Sequence, residues 1–471
     1  MYNYRLVTGI TEAGSAIIKI ILEMPWEVSG SEIGPDYFHL FIRKRDAGCT
    51  EPLKVSNFFT GKETIHQGNV AVTCAYICDE TGRDLAAVKG ADGCQGLARS
   101  KFVALVPEES ILLKRVEGNV LRCRFLEMDV RVTLLKTISG DPMKSGLVWD
   151  EFADEYVPQL NGWKTVMDGR ECATAELFTR RWIGPLTPYA ENRSGSRFPF
   201  IVADVSEDMT LSYGYYDPKP DTRVPVVIWL HGAGEGGLDP KIPQAANMIN
   251  NLSIPDYQVY FGGKAYVLVP QCPTVWMDDG VEQLGRSNKS IYVKPLKACI
   301  DEFIAAHSDT VDTDRIYISG MSNGGYMTVR MLIDYPEFFA AGVPVCEAFY
   351  SENIDGEALT ALAGIPLWFV HSKKDELVPP FETAVPTYKR LKAAGAPNVH
   401  LTFYDQLFRD PNRFRDEFGR KIKGFSHAVW NYVLNNECRT EFDGTLVMED
   451  GAPVTIWEWV GMQRKRMVGI G

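Results

Sequence analysis

Positive charge is in the minority in this chain: 49 Lys and Arg face 61 Asp and Glu, a formal net charge of −12. The resulting pI of about 5.2 argues against general binding to nucleic acid or to anionic membranes, and neither is an expected partner. Long apolar runs are also missing. The run Ala16 to Leu22 is interrupted by Lys19, is too short to cross a bilayer and lacks the basic lead-in of a secretory signal. The 10 cysteines form no C-x-x-C pair and no Cys/His cluster of zinc-ligand spacing, so no metal is expected. They read as buried small apolar residues, Cys74 and Cys78 pointing the same way on an extended segment, and a reducing cytoplasm suits them. There is no internal repeat, no low-complexity tract and no G-x-x-x-x-G-K-[ST] phosphate loop.

What is present is a chain of 471 residues, 45% apolar and 23% charged, long enough for two or three domains. Its first part reads as β-structure. Ile18, Ile20, Leu22 and Met24 alternate, as do Val70, Val72, Cys74, Tyr76 and Cys78. Residues 101–106 and 120–135 add β-rich runs, the second changing phase near Leu126, which implies a bulge or a turn. Residues 1–140 are therefore expected to form an all-β sandwich. Trp149, Phe152, Tyr156 and Leu160 recur at helical spacing, so 141–195 is expected to be a connecting segment with helical character, a linker or a covering element. From residue 196 to 471 short apolar runs (Val224–Leu230, Ala265–Val269, Arg315–Ser319, Gly342–Cys346, Pro366–Val370, Val399–Tyr404) alternate with amphipathic stretches such as Leu296, Cys299, Ile300, Phe303 and Ile304. That alternation indicates an α/β fold with a mostly parallel sheet covered by helices on both faces.

The one G-x-S-x-G, Gly320-Met321-Ser322-Asn323-Gly324, directly follows a strand and precedes a helical stretch. That is the context in which a sharp elbow exposes a serine hydroxyl. A serine needs a base, and of the seven histidines only His371, His400 and His427 follow it. His371 precedes the expected acid and His400 lies inside a strand. His427, in a loop after the last strand, is the expected base. Asp375, just after the preceding strand, is the expected orienting acid, with Glu376 and Asp405 as competitors. The oxyanion of a tetrahedral intermediate needs donors: the backbone N–H of Asn323, and an amide of the loop His231-Gly232-Ala233-Gly234, Ala233 being preferred to Gly234. Gly232, Gly234 and Gly237 also satisfy G-x-G-x-x-G, but Pro240 and Pro243 delay the helix that would hold a pyrophosphate, which argues against a dinucleotide.

The segments His231-Gly232-Ala233-Gly234-Glu235, Val269-Pro270-Gln271-Cys272-Pro273 with Trp276, Asp314-Arg315-Ile316-Tyr317, Gly320 to Tyr326 and Phe338 to Cys346 together make the catalytic part resemble bacterial α/β-hydrolases. The similar members are the esterases near feruloyl esterases, polyhydroxybutyrate depolymerases and dienelactone hydrolases, and the resemblance spans most of 210–435. The leading β-region is similar, on pattern and position, to the immunoglobulin-like domain that precedes some of these esterases. The resemblance implies Ser322, Asp375 and His427 as a triad and places Trp276 near the acyl or alcohol pocket, where a buried core Trp is the alternative reading. Residues 408–423, rich in Arg and Lys, exceed the family pattern and read as a solvated insertion or as part of the site rim. The expected activity is hydrolysis of a small-molecule ester without cofactor. A prolyl-oligopeptidase-type peptidase and a non-enzymatic relic are the rivals. The β-domain is expected to bind carbohydrate, drive homo-oligomerisation or cover the catalytic mouth.

Overall fold

A computed structural model describes residues 3–465 except 12–13, 47–48, 57–62, 86–98, 110, 113, 118–121, 135–145, 151–154, 160–165, 168–188, 193–196, 203–204, 238, 283, 409–419 and 421–422. The chain falls into two compact units, one of Met1–Gly118 with Arg124–Leu186, the other of Asn119–Cys123 with Thr187–Gly471. The first unit is built from antiparallel pairs. In one sheet the long strand Gly14–Ser29 lies between Asn3–Thr11 and Arg99–Pro107, with Val72–Cys78 beyond. In another, Glu127–Leu134 pairs with Phe38–Arg45, so that buried Val130 and Val132 stand across from buried Ile42 and Leu40. The Tyr4 hydroxyl donates to the Val130 carbonyl at 3.1 Å and ties the two sheets together.

Several expectations change here. Trp149 and Tyr156 lie on strands and not on a helix: Gly146–Asp150 and Glu155–Gln159 pair as antiparallel strands, with Trp149 opposite Tyr156, while Phe152 and Leu160 lie outside the described residues. Aromatic and β-branched residues favour strands, and strand pairing overrides a spacing that also fits a helix. The alternating run Val70–Cys78 belongs to two strands. Gln67–Val70 pairs with Phe38–Arg45, whereas Val72–Cys78 pairs with Arg99–Pro107. A register shift between Val72 and Cys74 goes with an exposed Cys74 and a buried Cys78; Cys49 is exposed as well. The phase change near Leu126 is a break between two strands, Arg122–Phe125 and Glu127–Leu134.

The second unit carries an eight-stranded sheet: β1 (Tyr189–Asn192), β2 (Ser212–Tyr216), β3 (Val224–Leu230), β4 (Tyr266–Gln271), β5 (Val311–Met321), β6 (Ala341–Val345), β7 (Leu367–Ser372) and β8 (Val399–Tyr404). Their order in space is β1-β2-β4-β3-β5-β6-β7-β8. β3 to β8 run parallel, β2 is antiparallel to β4, and β1 is antiparallel to β2. Alternate residues of β3 enter opposite layers. Val226, Ile228 and Leu230 join one core with α1 (Val293–Ala306) and α2 (Asn323–Asp334), while Val227 and Trp229 join the other with α5 (Trp430–Leu434) and α6 (Ile456–Met462). The first core also takes Leu362 of α3 (Gly356–Ala363) and Val385 and Leu391 of α4 (Ala384–Ala393). Two buried faces explain why these strands read as continuous apolar runs. This is the α/β-hydrolase fold, and every β-to-α loop opens at the C-terminal edge of the sheet. Among the described residues no helix is long and apolar enough to cross a membrane.

Candidate active site

The end of β5 turns directly into α2 at Ser322, which sits at φ 55°, ψ −114°. A non-glycine residue pays a steric penalty there, of order 1–3 kcal/mol. The surrounding glycines make the turn sterically feasible. A Cβ on Gly324 would lie 2.1 Å from the Leu230 carbonyl oxygen, and one on Gly320 would lie 2.6 Å from the Gly324 carbonyl oxygen. Both contacts are with backbone, which has no room to yield. The Ser322 amide donates to the Val345 carbonyl of neighbouring β6 at 2.8 Å, which anchors the turn.

The Ser322 hydroxyl lies 2.9 Å from His427 Nε2, and His427 Nδ1 lies 2.7 Å from Asp375 Oδ2. A carboxylate only accepts, so Nδ1 carries the ring proton and Nε2 is left to accept from the serine. The His427 and Asp375 side chains are nearly or wholly buried. Asp375 stands in the loop after β7, and the amides of Leu377 and Val378 both donate to its Oδ1 at 2.8 Å. Burial alone would raise its pKa. The hydrogen bonds donated by His371 and His427 outweigh that and hold the carboxyl well below the usual range. The three residues singled out by motif, elimination and chain order thus form one hydrogen-bonded chain.

The competing residues lie elsewhere. Asp405 is exposed and pairs with Lys373 at 3.8 Å. Glu376 does not reach the imidazole; its carboxylate accepts from the Ser426 and His427 amides at 3.2 and 3.1 Å, which fixes the loop that carries the histidine. His400 is packed against Trp368 and Trp459 and bonds to Glu441 and Asn398. His371 is fully buried, and its Nε2 lies 3.1 Å from Asp375 Oδ2. Its contact with the acid, like the capping by Glu376, was invisible in the sequence; only the four-residue spacing to Asp375 hinted at it.

Asn323 opens α2, where first-turn N–H groups have no intrahelical acceptor. Its buried side chain accepts the Trp276 amide at 2.6 Å through Oδ1. Ala233 and Gly234 begin a short 3-10 turn after β3 and are half-buried. Two buried bonds hold that turn from below: the Gln271 side chain donates to the Glu235 carbonyl at 2.9 Å, and Asn247 donates to the Glu235 carboxylate at 2.6 Å. Trp276 has no exposed surface. Its ring packs against His231 and Tyr292 in the core, so its contact with the serine turn runs through its backbone amide. Residues 409–419 of the basic insertion lie outside the described residues, but its ends meet in a bridge between Phe408 and Lys423. Among the described residues no group of three or more His, Cys, Asp or Glu is placed to hold a metal ion.

Comparison with known proteins bears on the fold. Residues 279–361 match the prolyl oligopeptidase family, and no curated protein sequence matches. The chain is similar to the crystal structure of a thermostable esterase over 98% of its own length and 99% of that chain, with 22% identity and a TM-score of 0.58. Slighter likenesses join it to an acylaminoacyl peptidase of Pyrococcus horikoshii (16% identity, 60% of this chain and 48% of that one, TM-score 0.32) and to a ferulic acid esterase (16%, 46% and 90%, TM-score 0.33). Only the first is close enough to bear on the fold. The likeness bears out the α/β-hydrolase fold, and the segment 279–361 is similar to the prolyl oligopeptidase family of hydrolases.

Proposed function

We propose that this chain is a serine carboxylic-ester hydrolase in which Ser322 is the nucleophile, His427 the base and Asp375 the orienting acid. The observation that carries the reading is the unbroken chain of bonds from the Ser322 hydroxyl through His427 to Asp375, set on a positive-φ turn at the C-terminal edge of the sheet. Ser322 Oγ attacks the ester carbonyl as its proton passes to His427 Nε2. The tetrahedral oxyanion is received by the Asn323 amide and an amide of the Ala233–Gly234 turn. His427 then gives its proton to the leaving alcohol, and an acyl-serine remains. A water, losing its proton to the same nitrogen, attacks that acyl group, and His427 returns the proton to Ser322 Oγ as the acid is released.

The match of residues 279–361 to the prolyl oligopeptidase family favours a second reading, cleavage of peptide amides through the same groups. One experiment separates the two. Wild type and S322A are assayed on p-nitrophenyl esters of graded acyl length and on proline-containing peptide anilides. S322A is expected to lose about 10⁴–10⁶ in kcat on esters while keeping its fold. An S322A protein with wild-type esterase activity overturns the assignment. Anilide rates comparable to ester rates would favour the peptidase.

A further inference from the structure

His371 has no part in the chemistry just described, yet its environment is unusual for a packing residue. It ends up wholly buried on β7, and its Nδ1 has no hydrogen-bond partner. A buried imidazole with one bare nitrogen is costly compared with an apolar side chain of similar size. Burial also lowers its pKa, so the ring is neutral. With an acceptor-only carboxylate 3.1 Å from Nε2 and the Val378 carbonyl 3.3 Å from it, the single proton sits on Nε2, the nitrogen facing Asp375.

We propose that His371 is a positioning residue of the reaction, sharing Asp375 Oδ2 with His427 so that one carboxylate oxygen accepts from two imidazoles while the other accepts two backbone amides. This rests on the serine-hydrolase reading of Ser322, His427 and Asp375. Four donors fix the carboxylate in place. The second imidazole also draws off part of the negative charge that His427 faces on the shared oxygen. The other ionisable groups around the pair do not supply this. Cys346 and Glu347 at the end of β6 are kept protonated by burial. Glu376 is spent on backbone amides. Lys373, Lys374 and Asp405 are exposed.

The test compares H371L, which removes the donor, with H371Q, whose amide nitrogen can reach the same place. Each is read by the pH profile of kcat/KM and by the downfield proton resonance of the His427–Asp375 hydrogen bond. H371L is expected to lose about ten- to a hundredfold in kcat with KM nearly unchanged. Its acid limb should move to higher pH by about half to one unit, and its resonance further downfield. H371Q should restore most of the rate and return limb and resonance toward wild type. An acid limb and resonance unmoved in H371L, or a rate loss equal in both variants, overturns the proposal. If H371L does not fold, H371Q and H371N decide it: the asparagine is too short to place its donor and should show the shifted limb and resonance, and the proposal fails if it does not. S322A in the same series guards the underlying reading. If S322A keeps its activity the serine-hydrolase reading fails, and the resonance in H371L and H371Q still reports whether His371 shares the carboxylate.

Discussion

Glu347 allows a stability experiment whose sign depends on pH. It follows β6 with 1% of its surface exposed. One carboxyl oxygen accepts the Phe349 amide at 2.6 Å and the other, Oε1, has no partner. Burial raises its pKa from an ordinary 4.5 to about 8. For an acid raised in the folded state, the unfolded chain releases its proton first. Between those two pH values unfolding therefore becomes easier by about 1.4 kcal/mol per pH unit, a loss on the order of 4 kcal/mol by pH 8. E347Q removes that slope. Its amide oxygen can still accept from Phe349, while its NH₂ replaces an oxygen that has no partner, at a cost of about 1–2 kcal/mol at every pH. The variant should match or slightly trail wild type at pH 5 and exceed it by about 2–3 kcal/mol at pH 8.5. For a unit of roughly 290 residues this is about 3–5 °C in Tm. Calorimetry of both proteins from pH 5 to 8.5, read as the difference between them, cancels every other titrating group. A difference that stays flat across that range would refute the reasoning.

Two further outcomes follow from the site. D375N leaves His427 without a charged partner and favours the wrong tautomer, so kcat should fall by about 10³–10⁴, whereas D405N, at an exposed surface carboxylate, should stay within about twofold of wild type. Ester hydrolysis by both variants checks this, and the reverse ranking would move the acid to Asp405. G324A would drive a methyl group to 2.1 Å from the Leu230 carbonyl oxygen, so the turn must open. We expect a loss of more than about 2 kcal/mol in stability together with a collapse in kcat, measured by thermal unfolding and ester turnover; a stable, active G324A would mean that the turn is not as tightly closed as described.

How much of this was legible depended on how local each feature is. The serine turn could be read because its requirements, a strand end, flanking glycines and a following helix, lie within a few consecutive residues. The parallel strands were legible because burial on both faces leaves uninterrupted apolar runs such as Val224–Leu230. Asp375 and His427 were reached by chain order and by the scarcity of histidine, not by any local pattern. The N-terminal unit was less legible. Alternation over Val70–Cys78 fitted one strand, but the chain changes sheets at Ala71, and nothing in a period of two reveals which neighbour a strand selects. Trp149 and Tyr156 fit a helix by spacing yet lie on paired strands, since spacing alone does not choose between the two.

The features that stayed hidden all belong to the support of the site. Glu376 reads from the sequence as a possible acid, since a carboxylate next to Asp375 suggests chemistry before it suggests capping. Its partners, the Ser426 and His427 amides, lie some fifty residues on, and they meet it because the loops after β7 and β8 leave the same edge of a parallel sheet. The same topology explains the acid's own environment. The tight turn after β7 aims the Leu377 and Val378 amides at one carboxylate oxygen, and a strand residue four positions earlier supplies an imidazole to the other. In consequence Asp375 remains ionised through its immediate surroundings, without a nearby lysine or arginine donating to either oxygen among the described residues. A site held this way depends on backbone geometry more than on long-range charge, so salt should change its turnover little.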